Sequence, residues 1–254
     1  MTGPRFFAVV LFATVGMVIV TNARAQVTPC SGDLSGTTIR HNLFVPDGAT
    51  CVLHDLRVVG NVLVGTNAVL QLGAGTKISG NILADSCNSV EEVGLAGVTQ
   101  TPIFIGGNVD INNCTVGGDL GSAPGSGFPS FTVRGNLSCE NNGGFCGLDG
   151  AEIGGNARFI NNHAGVNVFS VTIGGNLSVS DNTVADVSGE AAAVAGDNVG
   201  GNVQVNNNTN GSVGVGGNVI GGNLRCMGNS QQPGDDGNGP NTVSGHKLGQ
   251  CSSL

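Results

Sequence analysis

Apolar residues fall on a fixed grid along this chain, set against a Gly-Asn pair that returns every twenty or so residues. With the glycine as position zero, the pairs begin at Gly60, Gly80, Gly107, Gly135, Gly155, Gly175, Gly201 and Gly222. The asparagines that follow are Asn61, Asn81, Asn108, Asn136, Asn156, Asn176, Asn202 and Asn223. Two residues before each glycine stands a β-branched residue: Val58, Ile78, Ile105, Val133, Ile153, Ile173, Val199 and Ile220. Positions +2 and +4 are apolar too, from Val62 and Val64 through Leu137 and Cys139 to Leu224 and Cys226. Alternation at +2 and +4 is the period of a strand with one buried face. The −2 residue then closes a second strand that ends at the Gly-Asn corner. Glycine is expected there for a positive φ, which asparagine also tolerates while bonding to nearby backbone.

A repeat of this length describes a solenoid in which each coil stacks on the last. The intervals between pairs are 20, 27, 28, 20, 20, 26 and 21 residues. With three short strands per coil, this resembles the right-handed parallel β-helix, the all-β fold of pectate lyases and many phage and surface proteins. Left-handed hexapeptide helices need multiples of six, which these intervals lack. A first coil is expected near Arg40 and a last one at Gly245, making a single domain over residues 26–254. Ten such coils imply a rod of roughly 45 Å.

Position +7 reads Asn67, Cys87, Cys114, Asn142, Asn162, Asn182, Asn208 and Asn229. Its two cysteines fall in consecutive coils, where stacked equivalents lie roughly 4.8 Å apart, within reach of a disulfide. Cys87–Cys114 is therefore predicted. Cys226 at +4 and Cys251 at +6 after Gly245 would clamp the last full coil to the tail. Cys139 and Cys146 flank a local turn and can pair, which leaves Cys30 for Cys51 by elimination. Staples at both ends make sense because solenoid ends expose unpaired strand edges. No CxxC metal arrangement occurs, and no cofactor is indicated.

Composition places the chain outside the cytoplasm. Arg5, the apolar run Phe6 to Val20 and the small-x-small Ala23-Arg24-Ala25 read as a signal peptide over residues 1–25. The run is too short for an ordinary membrane span, so no span is expected after cleavage. All eight cysteines follow it, an even number suited to an oxidising compartment. Removing Arg5 and Arg24 leaves seven basic residues against seventeen acidic ones, a net charge of −10. That balance argues against nucleic acid and anionic membranes as partners. An extracellular polysaccharide or a cell-surface component remains, although Trp and Tyr, the usual platforms for sugar rings, are absent.

Long intervals must loop outward, and loops on a solenoid commonly wall a binding face. The candidate insertions are Ser89-Val90-Glu91-Glu92, the stretch Gly121 to Ser130, and Glu190 to Asp197. Beside them, the outward positions +3 and +5 carry Asp85, Asp110, Glu140 and Arg158 in four consecutive coils. Asp85, Asp110 and Glu140 could hold Ca²⁺, or with Arg158 serve acid–base chemistry in a polysaccharide lyase or hydrolase. The competing reading is that outward positions are polar for solubility. The Asn-Thr-Asp and Gly-His-Gly phrases of polygalacturonases are missing, and Asp235-Asp236 reads as a surface turn. His41 and His246 both fall near +1 at opposite ends of the rod, while His54 and His163 read as solvated. The remaining phenylalanines after the signal segment are expected as core filler.

The phrase Ile173-Gly174-Gly175-Asn176-Leu177-Ser178-Val179-Ser180-Asp181-Asn182 resembles the Gly-Gly-Asn repeats of secreted bacterial right-handed parallel β-helix proteins. The tail from Gly222 to Cys251 is similar to their endings. There is a fainter likeness to bactofilins, cytoskeletal β-helix polymers. The resemblance covers most of the exported chain and implies the fold, but carries no activity. The leading expectation is an exported, non-enzymatic structural or surface-interaction protein.

Overall fold

The computed structural model describes residues 26–94, 101–121, 130–186 and 188–254. The signal segment and nearly all of the Gly121 to Ser130 stretch lie outside them. Every strand pairs in parallel with the strand one coil away, giving three sheets of eleven (A), nine (B) and ten (C) strands. Each coil visits A, B and C in turn, which is a parallel β-helix. Eleven strands in sheet A set a stack of about 48 Å. No described helix is long and apolar enough to cross a membrane.

The sequence grid maps directly onto this stack. Positions −2, +2 and +4 point inward from sheets C and A and are almost completely buried, as in Ile78, Ile82 and Ile111 at 0 % exposure. Phe131 and Phe159 fill the centre, whereas Phe44, Phe104, Phe145 and Phe169 are only half-buried and line the outer surface. That corrects their expected role as core filler.

The corner glycines do not have positive φ. Their requirement is steric: a Cβ on Gly80 would strike the Oδ1 of Asn61 and the carbonyl of Gly60 in the neighbouring coil. The left-handed conformation falls instead at +6, on Ser86, Asn113, Asn141, Asn161, Asp181 and Asn207, with φ between 55° and 60°. These short polar residues, asparagine above all, tolerate that region.

Two asparagine ladders follow the coil corners in opposite senses, the first along nearly the whole stack and the second from Cys114 onward. At +1, each backbone N–H donates to the asparagine Oδ1 of the preceding coil, from Asn61 onto Asn42 to His246 onto Asn223, at 2.8–2.9 Å. The first rung is thus Asn42, one residue beyond His41, and the stack starts one coil earlier still, with Val27–Pro29. At +7, the N–H of each residue donates to the following coil, from Cys114 onto Asn142 through Asn162, Asn182 and Asn208 to Asn229 onto Gln250. This ladder is buried, so each amide also satisfies a carbonyl that would otherwise be stranded. Asn67 is not part of it: the positive φ of 54° falls on Asn67 itself and turns its side chain to solvent.

Four disulfides, Cys30–Cys51, Cys87–Cys114, Cys139–Cys146 and Cys226–Cys251, take up all eight cysteines. Such a set fits an oxidising compartment.

Candidate functional site

Outward positions of sheet A form two rows along the rod. Asp110 pairs with Leu83 on one side and Ser138 on the other, and Ser138 with Arg158. Asp85 and Glu140 lie in the second row, both opposite Asn112 and two coils apart. The structure joins Glu140 to Arg158 at 3.1 Å, and the Ser138 hydroxyl donates to the same carboxylate oxygen at 2.7 Å. Asp85 accepts from the Asn113 side chain at 2.7 Å. The four residues therefore share a face but are held in separate local contacts. No group of three or more His, Cys, Asp or Glu side chains among the described residues converges as a metal site.

The expected loop walls are also placed differently. Ser89–Glu92 is a strand of sheet B, and so is Glu190–Ala195. The extra residues of the first two long coils enter between the B and C strands, before Ile103–Ile105 and before Phe131–Val133, and those of the third enter between the A strand Leu177–Ser180 and the B strand Glu190–Ala195.

Sheet B instead carries a concentration of carboxyl groups that the repeat does not reveal. Glu91 and Asp119 stand opposite each other on paired strands. With Glu92, Val116 and Phe145 they line a groove of about 250 Å³. Burial, partly offset by the Gly121 amide and assisted by Asp119, pushes the Glu92 carboxyl up to about 7. Burial, and then the charges of Glu91 and Asp149, raise Asp119. Asp149 is raised as well, mainly by burial. Gly147 leaves the space into which both the Phe145 ring and Asp119 lean.

Farther along the same sheet, Glu190 and Asp236 meet above Gly214, where a Cβ would collide with both carboxylates. They border a second groove of about 330 Å³ with Phe169 and Asn238. Burial, then the charge and hydrogen bonding of Asp236, push Glu190 up to about 7. Asp235-Asp236 is thus more than a surface turn, because Asp236 bridges back onto sheet B.

A further acid is structural. Asp197, 1 % exposed, takes a rung in a short third ladder with Asn218 and Asn241. Burial, partly offset by the Val171 amide, raises it well above the ordinary carboxylate range. His54 is also not free: its Nε2 lies 2.8 Å from Asp33. His41 bonds Thr28 at 3.2 Å.

Glu190, its carboxyl raised to about 7 at the edge of a groove, can donate a proton, the first requirement of a general acid, whereas both carboxyl oxygens of Glu92 are buried in register with Leu72. The other outer surface, sheet C, is cationic toward its N-terminal end, with Arg57 and Lys77 directly opposed. Compared with protein families, curated proteins and solved structures, the chain matches none.

Proposed function

We propose that the chain is an exported, non-enzymatic structural or surface-interaction protein, a disulfide-stapled β-helix rod that presents its side chains to a partner. The kinship with secreted bacterial Gly-Gly-Asn β-helix proteins belongs to the same proposal. The observation that carries it is how the polar interior is used. The +7 asparagines are occupied by coil-to-coil bonds, as in Asn182 with Asn208 and with the Phe159 carbonyl. Disulfides then tie together coils near both ends and in the middle. Such a construction supplies rigidity along one axis. Its test is export of the full chain from a secreting host. Cleavage before Gln26 and the absence of titratable thiols are expected, whereas cytoplasmic retention with free thiols would contradict it.

One observation favours a second reading. The Glu190–Asp236 pair in its groove supplies a proton donor in hydrogen-bonding contact with a second carboxyl, a proton-sharing acid pair that could act as general acid on a polysaccharide. Hydrolysis would then be lost in Glu190→Gln and unaffected by Asp110→Ala, which places the chemistry on sheet B rather than on Asp85, Asp110, Glu140 and Arg158.

A further inference from the structure

Four of the seven cations in residues 26–254 of this acidic chain share one face, and the other three, Arg158, Arg225 and Lys247, are spread along sheet A. Arg40, Arg57, Lys77 and Arg134 all lie on the outer side of the first five strands of sheet C. Arg57 and Lys77 are directly opposed on paired strands, about 4.8 Å apart along the rod. Arg40 stands opposite Val59 and Arg134 opposite Gly106, in the adjoining outward row. The four span four coil steps, a line of positive charge roughly 19 Å long.

These cations are exposed and unpaired. All seventeen carboxylate side chains of the chain fall within the described residues, yet the one arginine or lysine ion pair among them is Arg158–Glu140. With carboxylates in more than twofold excess, cations placed for stability would be expected to have partners. Arg134 lies over the Phe104 ring instead, 5.1 Å from its centroid. That contact steadies the guanidinium without neutralising it. Beside Arg57 and Lys77 runs a groove of about 550 Å³ whose remaining walls include Thr37, Thr38 and Thr101. Asp55 is the carboxylate in that wall, and Glu152 closes the row two strands beyond Phe104.

We propose that this face of sheet C binds an anionic polysaccharide, a single glycan chain bearing carboxylate or sulfate groups laid along the rod axis. The inference rests on the reading of the protein as a surface-interaction rod and gives that rod a partner. Guanidinium and ammonium groups supply the complementary charge, and arginine suits planar oxyanions in particular. The threonine hydroxyls supply neutral donors and acceptors for sugar hydroxyls. The narrow line favours one extended chain. A nucleic-acid duplex or an anionic bilayer is a broader charged surface than this single line of four cations can match.

The test is binding of the oxidised mature protein to immobilised polygalacturonate and dextran sulfate, with neutral dextran and duplex DNA alongside. The variants are Arg57→Gln/Lys77→Gln and, with the same charge change elsewhere, Arg225→Gln/Lys247→Gln. Binding to at least one anionic glycan is expected, weakened at least tenfold by the first variant and less than twofold by the second. It should fall steeply with salt. Absence of binding to both glycans at low salt overturns the proposal, as does equal weakening by the two variants or equal affinity for DNA. Release of new sugar ends during the assay would instead overturn the non-enzymatic reading, so the two failures are distinguishable.

Discussion

Replacing Asp197 with asparagine should stabilise the protein, and by an amount that grows with pH. In the ladder at this corner, Asn218 and Asn241 each accept a backbone N–H through Oδ1 and donate their side-chain amides to Val194 and Val215 carbonyls at 2.9 Å. Asp197 accepts from Val171 at 2.8 Å but its second oxygen, fully buried, has no donor. By register, Val168 stands where Val194 and Val215 stand in the following coils. A protonated Asp197 can offer its hydroxyl to that carbonyl, and asparagine offers an amide. An ionised Asp197 can do neither and would bury a charge.

The sign follows from where the proton is held. The folded-state pKa is raised well above the ordinary 3.8, so the folded chain keeps a proton that the unfolded chain loses above that value. Stability from this residue is therefore fully present below pH 3.8 and declines as pH rises through the folded-state pKa. While Asp197 stays protonated in the fold, the decline is at most ~1.4 kcal/mol per pH unit. Asparagine has no such dependence. Urea midpoints of wild type and Asp197→Asn, measured at matched pH from 4.5 to 8, isolate this term because Glu92 and Glu190 titrate in both proteins. The variant should be within ~1 kcal/mol of wild type at the acidic end and gain at least ~1 kcal/mol on it by neutrality. A pH-independent difference, or a variant less stable than wild type at pH 8, would refute the reasoning.

Glu190 predicts the same sign on the surface. With its pKa raised from 4.5 to about 7, wild-type stability should fall across that window, and Glu190→Gln should flatten it by ~1 kcal/mol, a value reduced for solvent screening of a half-exposed pair. Asn182→Ala removes two buried donor bonds, to Phe159 and Asn208, and the acceptor used by Asn162. Chemical denaturation should show a loss of ~2–4 kcal/mol, with Asn176→Ala in the exposed ladder costing less than half as much. The Cys87→Ala/Cys114→Ala double variant opens a bridge of sequence separation 27 and should lose ~3 kcal/mol in the same assay.

The part of the fold legible in the sequence is the part that counts regularly from the Gly-Asn corner. Positions −2, +2 and +4 are set by strand alternation, and the cysteines of neighbouring coils meet because parallel stacking puts equivalents side by side. The reason for the glycine was not legible, since close coil packing and positive φ select the same residue. Counting fails after +7. Glu91 lies at +11, Asp119 at +12 and Ala193 at +18, although they occupy one outward row of sheet B through Gly147 and Asn167. Corners of variable length, and a register shift between Glu190 and Ala192, hide that row. The sheet A candidates were legible because their corner is regular, but side-chain bonding is not, and it directs Asp85 to Asn113 and Glu140 to Arg158. The sheet C cations were countable from the same grid, yet their lack of carboxylate partners emerges only when all seventeen acids are placed.

The most direct measurement is release of new sugar ends by the oxidised mature protein from plant, bacterial and algal polysaccharides, with and without calcium. The account predicts none on any substrate, under conditions where the protein remains folded and disulfide-bonded. Sustained release that disappears in Glu190→Gln or in Asp110→Ala would contradict it and make the rod an enzyme.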